Sequence, residues 1–192
     1  MTRKMIGAVV AAWLLCVAAA AQTRPVVKPA TPAPASAAST VIVFQTAKGS
    51  FEITLLTATA PKSTAQIIDL VRKHFYRGLR VHRVENSLAQ FGDPQTKNMT
   101  LRNYWGTAGS GKVIGVAEIS KIEKHVRGTV GLAAPGDNPK MADSQIYIMK
   151  TASPSLDGRY AIIGHVTAGM AVVDSLQVND VILDCTIKGE KK

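Results

Sequence analysis

The chain has 192 residues, 46% of them hydrophobic and 19% charged, and carries 23 Lys and Arg against 13 Asp and Glu for a formal net charge of +10. The positive balance fits solubility and weak attraction to anionic surfaces. The basic residues are scattered and aromatics make up only 5% of the chain, so the clustered, base-stacking footprint of a nucleic-acid binder is missing and no nucleic-acid partner is expected.

The first residues read as an address label. Arg3 and Lys4 precede an uncharged apolar run over residues 5–20 that ends in small residues, Ala18 to Ala21. That order is the pattern of a secretory signal peptide, here residues 1–21 with cleavage after Ala21. The rival is an uncleaved anchor, since the run is barely shorter than the roughly 20 residues a spanning helix needs. Lipid attachment at Cys16 is disfavoured by Leu15, which stands where a small residue would be expected. Cleavage implies no stable membrane insertion afterwards. It also leaves 21 basic against 13 acidic residues, a net of +8, and Cys185 as the remaining cysteine, so no internal disulfide is expected despite export. Cys185 lies in "VILDCTI" and reads as a buried small residue. Residues 22–40, "QTRPVVKPATPAPASAAST", have little to bury and read as a disordered Pro/Ala-rich linker. Residues 41–192 then form one domain of ordinary size.

In that domain "VIVFQT" (41–46) and "FEITLL" (51–56) flank the turn "AKGS", and the alternation of Phe51, Ile53 and Leu55 with Glu52 and Thr54 predicts a hairpin with one wet face. A helix is predicted from Pro61, with Ser63 and Gln66 at capping-box spacing and Ile67, Leu70, Val71 and His74 at helical intervals. Further strands are predicted at "RVHRV" (80–84), "LAQF" (88–91), "TVGLA" (129–133), "QIYIM" (145–149) and "AIIGHV" (161–166). A short helix at "GMAVVDSL" (169–176) and a last strand at "VILDCTI" (181–187) follow. Many short strands and two helices place the domain in the all-β class, as a closed barrel or a sandwich.

Several catalytic patterns can be set aside. "GTAGSGKV" (106–113) fits seven places of a phosphate-binding loop, but Val113 stands where a hydroxyl should hold magnesium, and neither a buried strand before it nor a helix after it is predicted. His74, His82, His125 and His165 are too far apart for a local metal pair, so no metal is expected. No G-x-S-x-G elbow is present. His82, lacking a base beside it, reads as packed or hydrogen-bonded under the sheet.

Strand alternation raises a different candidate. In "RVHRV" Val81 and Arg83 point one way, in "LAQF" Leu88 and Gln90 share a face, and in "SQIYIM" Gln145, Tyr147 and Met149 share one. Side by side, those faces make an apolar floor with one cationic fork and two amides, suited to a small apolar group next to an amide. The bland alternative is an exposed arginine in an incidental surface pair. Spacing alone leaves the two even.

From about residue 41 to 188 the chain resembles the cyclophilin-type peptidyl-prolyl isomerases, through "TAKGSFEITLL", "APKSTAQIIDLV", "FYRGLRVHRV", "QFGDP", "HVRGTVGLA", "DSQIYI" and "LDGRYAIIGHVTAGMAVVDSL" in that order. The resemblance implies a closed eight-stranded antiparallel β-barrel capped by two α-helices, no cofactor, and a likeness to exported bacterial members that act in the periplasm on unfolded or X-Pro-containing polypeptides as monomers. It implies that Arg83 is the catalytic group, that Gln90 holds the substrate backbone or orients Arg83, that Tyr147, Leu88, Leu156 and Tyr160 line the proline pocket, and that Gln145 and Ala133 border the groove.

The chain departs from the family at several of these places. "RVENSLAQFGDP" is one residue shorter than the usual pattern, so that either Leu88 takes the usual methionine position and the pocket phenylalanine is missing or replaced by Ser87, or Leu88 takes the phenylalanine's place and Ala89 the methionine's. Either way an aromatic wall is lost, and weakened catalysis is expected. Phe91 replaces a glycine, Tyr147 and Ile163 replace commoner aromatics, and Ser155 stands where some members have a tryptophan that contacts cyclosporin. The loop "APGDNPKMADS" is about two residues longer. The alternatives implied by this erosion are a proline-binding chaperone and a peptide-binding or anchoring module of the cell envelope.

Overall fold

The structure, a computed structural model, describes residues 39–190; the signal-peptide reading and the linker reading up to residue 38 fall outside the described residues. The elements in chain order are β1 (Val41–Thr46), β2 (Gly49–Leu55), α1 (Pro61–Arg72), β3 (Arg83–Val84), β4 (Leu88–Phe91), β5 (Thr129–Leu132), β6 (Ile146–Met149), β7 (Ile162–Ala168), α2 (Met170–Ser175) and β8 (Ile182–Ile187). The eight strands form one curled sheet of order β3-β4-β6-β5-β7-β2-β1-β8, and all its pairings are antiparallel. The segments leading into β3 and β8 are linked to each other. Gly78 N donates to Ile182 O (2.8 Å), Ile182 N to Leu79 O (2.8 Å) and Val81 N to Asp180 O (2.9 Å), around an isolated bridge between Arg80 and Val181.

The period-two pattern of β1 and β2 turns Ile42, Phe44, Phe51, Ile53 and Leu55 into the core. Phe44, Phe51, Tyr76 and Phe91 pack there with ring centroids 5.2 to 6.4 Å apart, so Phe91 fills the core rather than the substrate face. Helix α1 adds Ile67, Leu70 and Val71, each worth about 1.5–3 kcal/mol when buried. Cys185 is buried and unpaired, as read from its apolar run. Among the described residues no helix is long and apolar enough to cross a membrane.

Three local expectations fail. The capping box does not form: Ala60 occupies the cap without a side-chain bond, and Glu118, from the irregular stretch before β5, accepts hydrogen bonds from Lys62 N (3.0 Å) and Ser63 N (2.7 Å) instead. The helix stops at Arg72, and His74, with φ 53°, lies beyond its apolar face. The strand expected over 80–84 is reduced to Arg83 and Val84, because residues 78–81 are engaged with 180–182 and the ladder with β4 begins only at Arg83. Alternation therefore does not carry through the segment. Val81 is fully buried in the core, whereas Arg83 stands on the outer face.

Candidate active site

The site begins with register. Leu88 pairs with Met149 and Gln90 with Tyr147 across β4 and β6, and Arg83 pairs with Gln90 across β3 and β4. One face of these strands thus carries Arg83, Leu88, Gln90, Tyr147 and Met149, while Ala89, Phe91, Ile146 and Ile148 go to the core. Leu88, two before Gln90, faces the site; Ala89 does not; and Ser87 lies in the tight turn closed by Glu85 N donating to Leu88 O (2.8 Å).

Leu88 (6% exposed), Tyr147 (4%) and Met149 (0%) form an apolar cluster separate from the main core, with Ala133, Leu156 and Tyr160 half-buried against it. A hydrogen-bonded chain runs along its edge: Arg83 Nη1 donates to Gln90 Oε1 (3.2 Å), Gln90 Nε2 to Gln145 Oε1 (2.8 Å), and Gln145 Nε2 to the carbonyls of Gly106 (2.9 Å) and Ala108 (2.8 Å). All eight residues expected from the sequence are therefore brought together. Arg83 Nε also donates to Glu85 Oε1 (2.7 Å), so these two bonds engage two of the five guanidinium N–H groups.

Beside the apolar cluster opens a cavity of about 200 Å³, bordered by Gln90, Gly106, Ala108, Ala133, Asp143 and Gln145. Its open volume adjoins the amide edge rather than the buried floor of Leu88 and Tyr147.

Four supporting residues were not singled out by sequence reasoning. Asp93, fully buried in the "QFGDP" turn, accepts from Gln95 N (2.7 Å), Gly106 N (2.6 Å) and Ala108 N (3.1 Å), and so fixes the loop whose carbonyls orient Gln145. Gly92 before it has φ 113°, and a Cβ there would meet Ser144 O at 2.3 Å, so only glycine fits the turn. Gly131 lies opposite Tyr147 in the β5–β6 register and yields the space the tyrosine ring fills, since a Cβ would come within 2.3 Å of Cζ and Oη. The buried His125 holds the other side of that ring, its Nε2 2.8 Å from Tyr147 Oη and its Nδ1 2.9 Å from Asp157 Oδ1. Burial pushes the Tyr147 phenol well above its ordinary pKa, so it remains protonated.

The remaining candidates are structural. In the loop 106–113 the Gly111 amide (3.0 Å) and the Ser110 hydroxyl donate to the carboxylate of Asp143, an anion supplied by the protein itself. His82 is half-buried against Gly106, neither ring nitrogen finds a hydrogen-bond partner among the described residues, and burial lowers its pKa.

A cationic fork held by two amides at the edge of an apolar floor can polarise and bind an amide without forming a covalent bond. Comparison with known proteins gives the family. The family model described as cyclophilin type peptidyl-prolyl cis-trans isomerase/CLD matches residues 41–189. A probable peptidyl-prolyl cis-trans isomerase of Brucella suis is 39% identical over 140 residues, which cover 71% of this chain and 70% of that protein. A cyclophilin-type isomerase from Cryptosporidium parvum superposes with a TM-score of 0.69 at 22% identity, covering 80% of this chain and 99% of that one. The same protein crystallised in the presence of the dipeptide Ala-Pro also gives 0.69 at 22% identity, over 78% and 99% of the two chains. The curled eight-stranded sheet and these matches together place the chain in the cyclophilin-type peptidyl-prolyl cis-trans isomerase family.

Proposed function

We propose that Arg83 catalyses rotation about X-Pro bonds of unfolded or proline-containing polypeptides, with the proline ring on the floor of Leu88, Tyr147, Leu156 and Tyr160 and the preceding residues toward the cavity beside Ala133 and Gln145. Amide resonance sets a barrier of about 18–20 kcal/mol. A guanidinium donating to the prolyl nitrogen favours the pyramidal, single-bonded form at the twisted transition state and does little for the planar ground state, which is the differential binding that catalysis requires. The observation that carries this reading is the chain from Arg83 through Gln90 to Gln145, which holds the fork at the edge of the apolar cluster. The enzyme acts on exported proteins in the periplasm, after loss of residues 1–21; the support for that is the basic, apolar, small-residue order of its start. We read the bonds between 78–81 and 180–182 as closing the sheet into a barrel.

A second reading, proline binding with little catalysis, is favoured by Glu85 occupying one edge of Arg83 and by Ser87 lying in the turn where the family carries an aromatic. Titration of the labelled full chain with an Ala-Pro peptide tests the placement. Amide shifts concentrated at 83, 88–90, 133 and 145–147 are expected. Shifts concentrated elsewhere would refute it.

A further inference from the structure

We propose that His125 and Asp157 are positioning residues that hold the Tyr147 ring as the floor of the proline pocket, acting through the tyrosine hydroxyl; this rests on the reading of that floor given above. The three residues come from separate segments. Tyr147 is on β6, His125 lies in the irregular stretch before β5, and Asp157 follows Leu156 in the loop that supplies the pocket's opposite wall. The imidazole is wholly buried and nearly parallel to the Tyr147 ring, with centroids 5.9 Å apart and an interplanar angle of 19°. It ties the wall to the floor. Asp157 Oδ1 accepts from His125 N (2.8 Å) and lies 2.9 Å from Nδ1, while Ser153 N at the start of the same loop donates to His125 O (2.8 Å).

Chemistry fixes the direction of these bonds. The bond from the His125 backbone, the ring contact and the Lys124 charge hold the Asp157 carboxyl below the ordinary carboxylate range, so it is ionised and can only accept. Nδ1 must therefore carry the hydrogen. In the neutral imidazole Nε2 is then a bare acceptor, and the group it faces is the phenol, 2.8 Å away. In that form the Tyr147 hydroxyl donates to His125, and the absence of a side chain at Gly131 leaves the space the ring fills.

A double-mutant cycle on the full chain tests this, with Tyr147→Phe, His125→Leu and the double variant measured for kcat and KM on an Ala-Pro peptide and for stability in urea. Loss of one hydrogen bond to a buried partner predicts that His125→Leu raises KM roughly five- to tenfold at nearly constant kcat. The same change made in the Tyr147→Phe background should then alter KM less than twofold, because the hydroxyl through which His125 acts is already gone. In parallel, ¹⁵N NMR of the parent should show His125 protonated at Nδ1 and bare at Nε2. Effects of the two substitutions on KM that simply multiply would overturn the positioning role, as would the opposite tautomer. Coupling seen in stability with KM unmoved in every variant would show instead that Tyr147 is not the substrate floor. Tyr147→Phe removes one atom, so the comparison survives even if His125→Leu folds poorly.

Discussion

Replacing Gly131 by alanine adds one methyl group beneath the most buried ring of the site. Its Cβ would lie 2.3 Å from Tyr147 Cζ and Oη and 2.7 Å from Cε2, well inside the roughly 3.5–4.0 Å of ordinary contact. Gly131 does not have a positive φ, so the penalty is steric and not one of backbone conformation. The ring has no easy retreat, being 4% exposed and bonded to His125. Overpacking of this kind costs about 1–3 kcal/mol, and loss of the Tyr147–His125 bond adds about 1 kcal/mol. A total of about 2–4 kcal/mol corresponds to a fall in Tm of roughly 5–15 °C for a domain of this size. Because the displaced ring moves the substrate floor, kcat/KM should also fall at least about tenfold, the equivalent of ~1.4 kcal/mol at the transition state. Thermal unfolding and NMR exchange of an Ala-Pro peptide read both effects. Gly131→Ala combined with Tyr147→Leu should recover the steric part of the loss, since the clashing atoms are gone, but not the part due to the bond with His125. A single variant with parental Tm and parental kcat/KM would show that the ring is not seated over Gly131.

Other perturbations probe the supports of Arg83. Asp93→Ala strips the acceptor from three backbone amides, Gln95, Gly106 and Ala108, each worth about 1–3 kcal/mol if left unsatisfied; denaturation midpoints should drop sharply, and an unchanged midpoint would contradict the role given to this carboxylate. Glu85→Gln removes a partner of Arg83 that is half exposed, 48% against 50% for the arginine, so the pair is worth only about 0–1 kcal/mol. A rise in kcat/KM of at most about fivefold is expected at low salt, shrinking as added salt screens the parent pair; a fall in activity would mean that Glu85 assists rather than competes. The Asp157 carboxyl, lowered in the fold by the backbone and ring bonds from His125, stabilises the protein above the ordinary value of 3.8, and this contribution is lost as pH falls through its lower folded value. In Asp157→Asn the loss of stability as pH falls below about 4 should be shallower than in the parent, and identical acid limbs would refute the linkage.

How far the site could be read in advance follows from the range of each physical signal. Alternation in "LAQF" and "QIYIM" put Leu88 with Gln90 and Tyr147 with Met149, because those strands are regular and buried on both faces. The same rule failed in "RVHRV". There the chain leaves one set of partners and joins another, so Val81 and Arg83 part company although they are two residues apart. Ser63 and Gln66 showed capping-box spacing, yet the cap came from Glu118, a residue with no local signal and more than 50 positions away. Gly131 could be understood only once the β5–β6 register was known. The link from His125 to Asp157 spans 32 positions and crosses irregular chain, where neither periodicity nor motif spacing applies. Resemblance supplied the role of Arg83; the geometry adds what holds it, through Gln90, Gln145 and the loop anchored by Asp93.

The central claim is that Arg83 lowers the rotational barrier from the edge of this apolar floor. Exchange spectroscopy on an Ala-Pro peptide, with the full chain and its Arg83→Ala variant at equal concentration, tests it most directly. The account predicts fast cis–trans exchange with the parent and a collapse of at least about a hundredfold with the variant, the scale of losing one preorganised donor at a transition state. Equal acceleration by both proteins, with the variant shown to be folded, would contradict it.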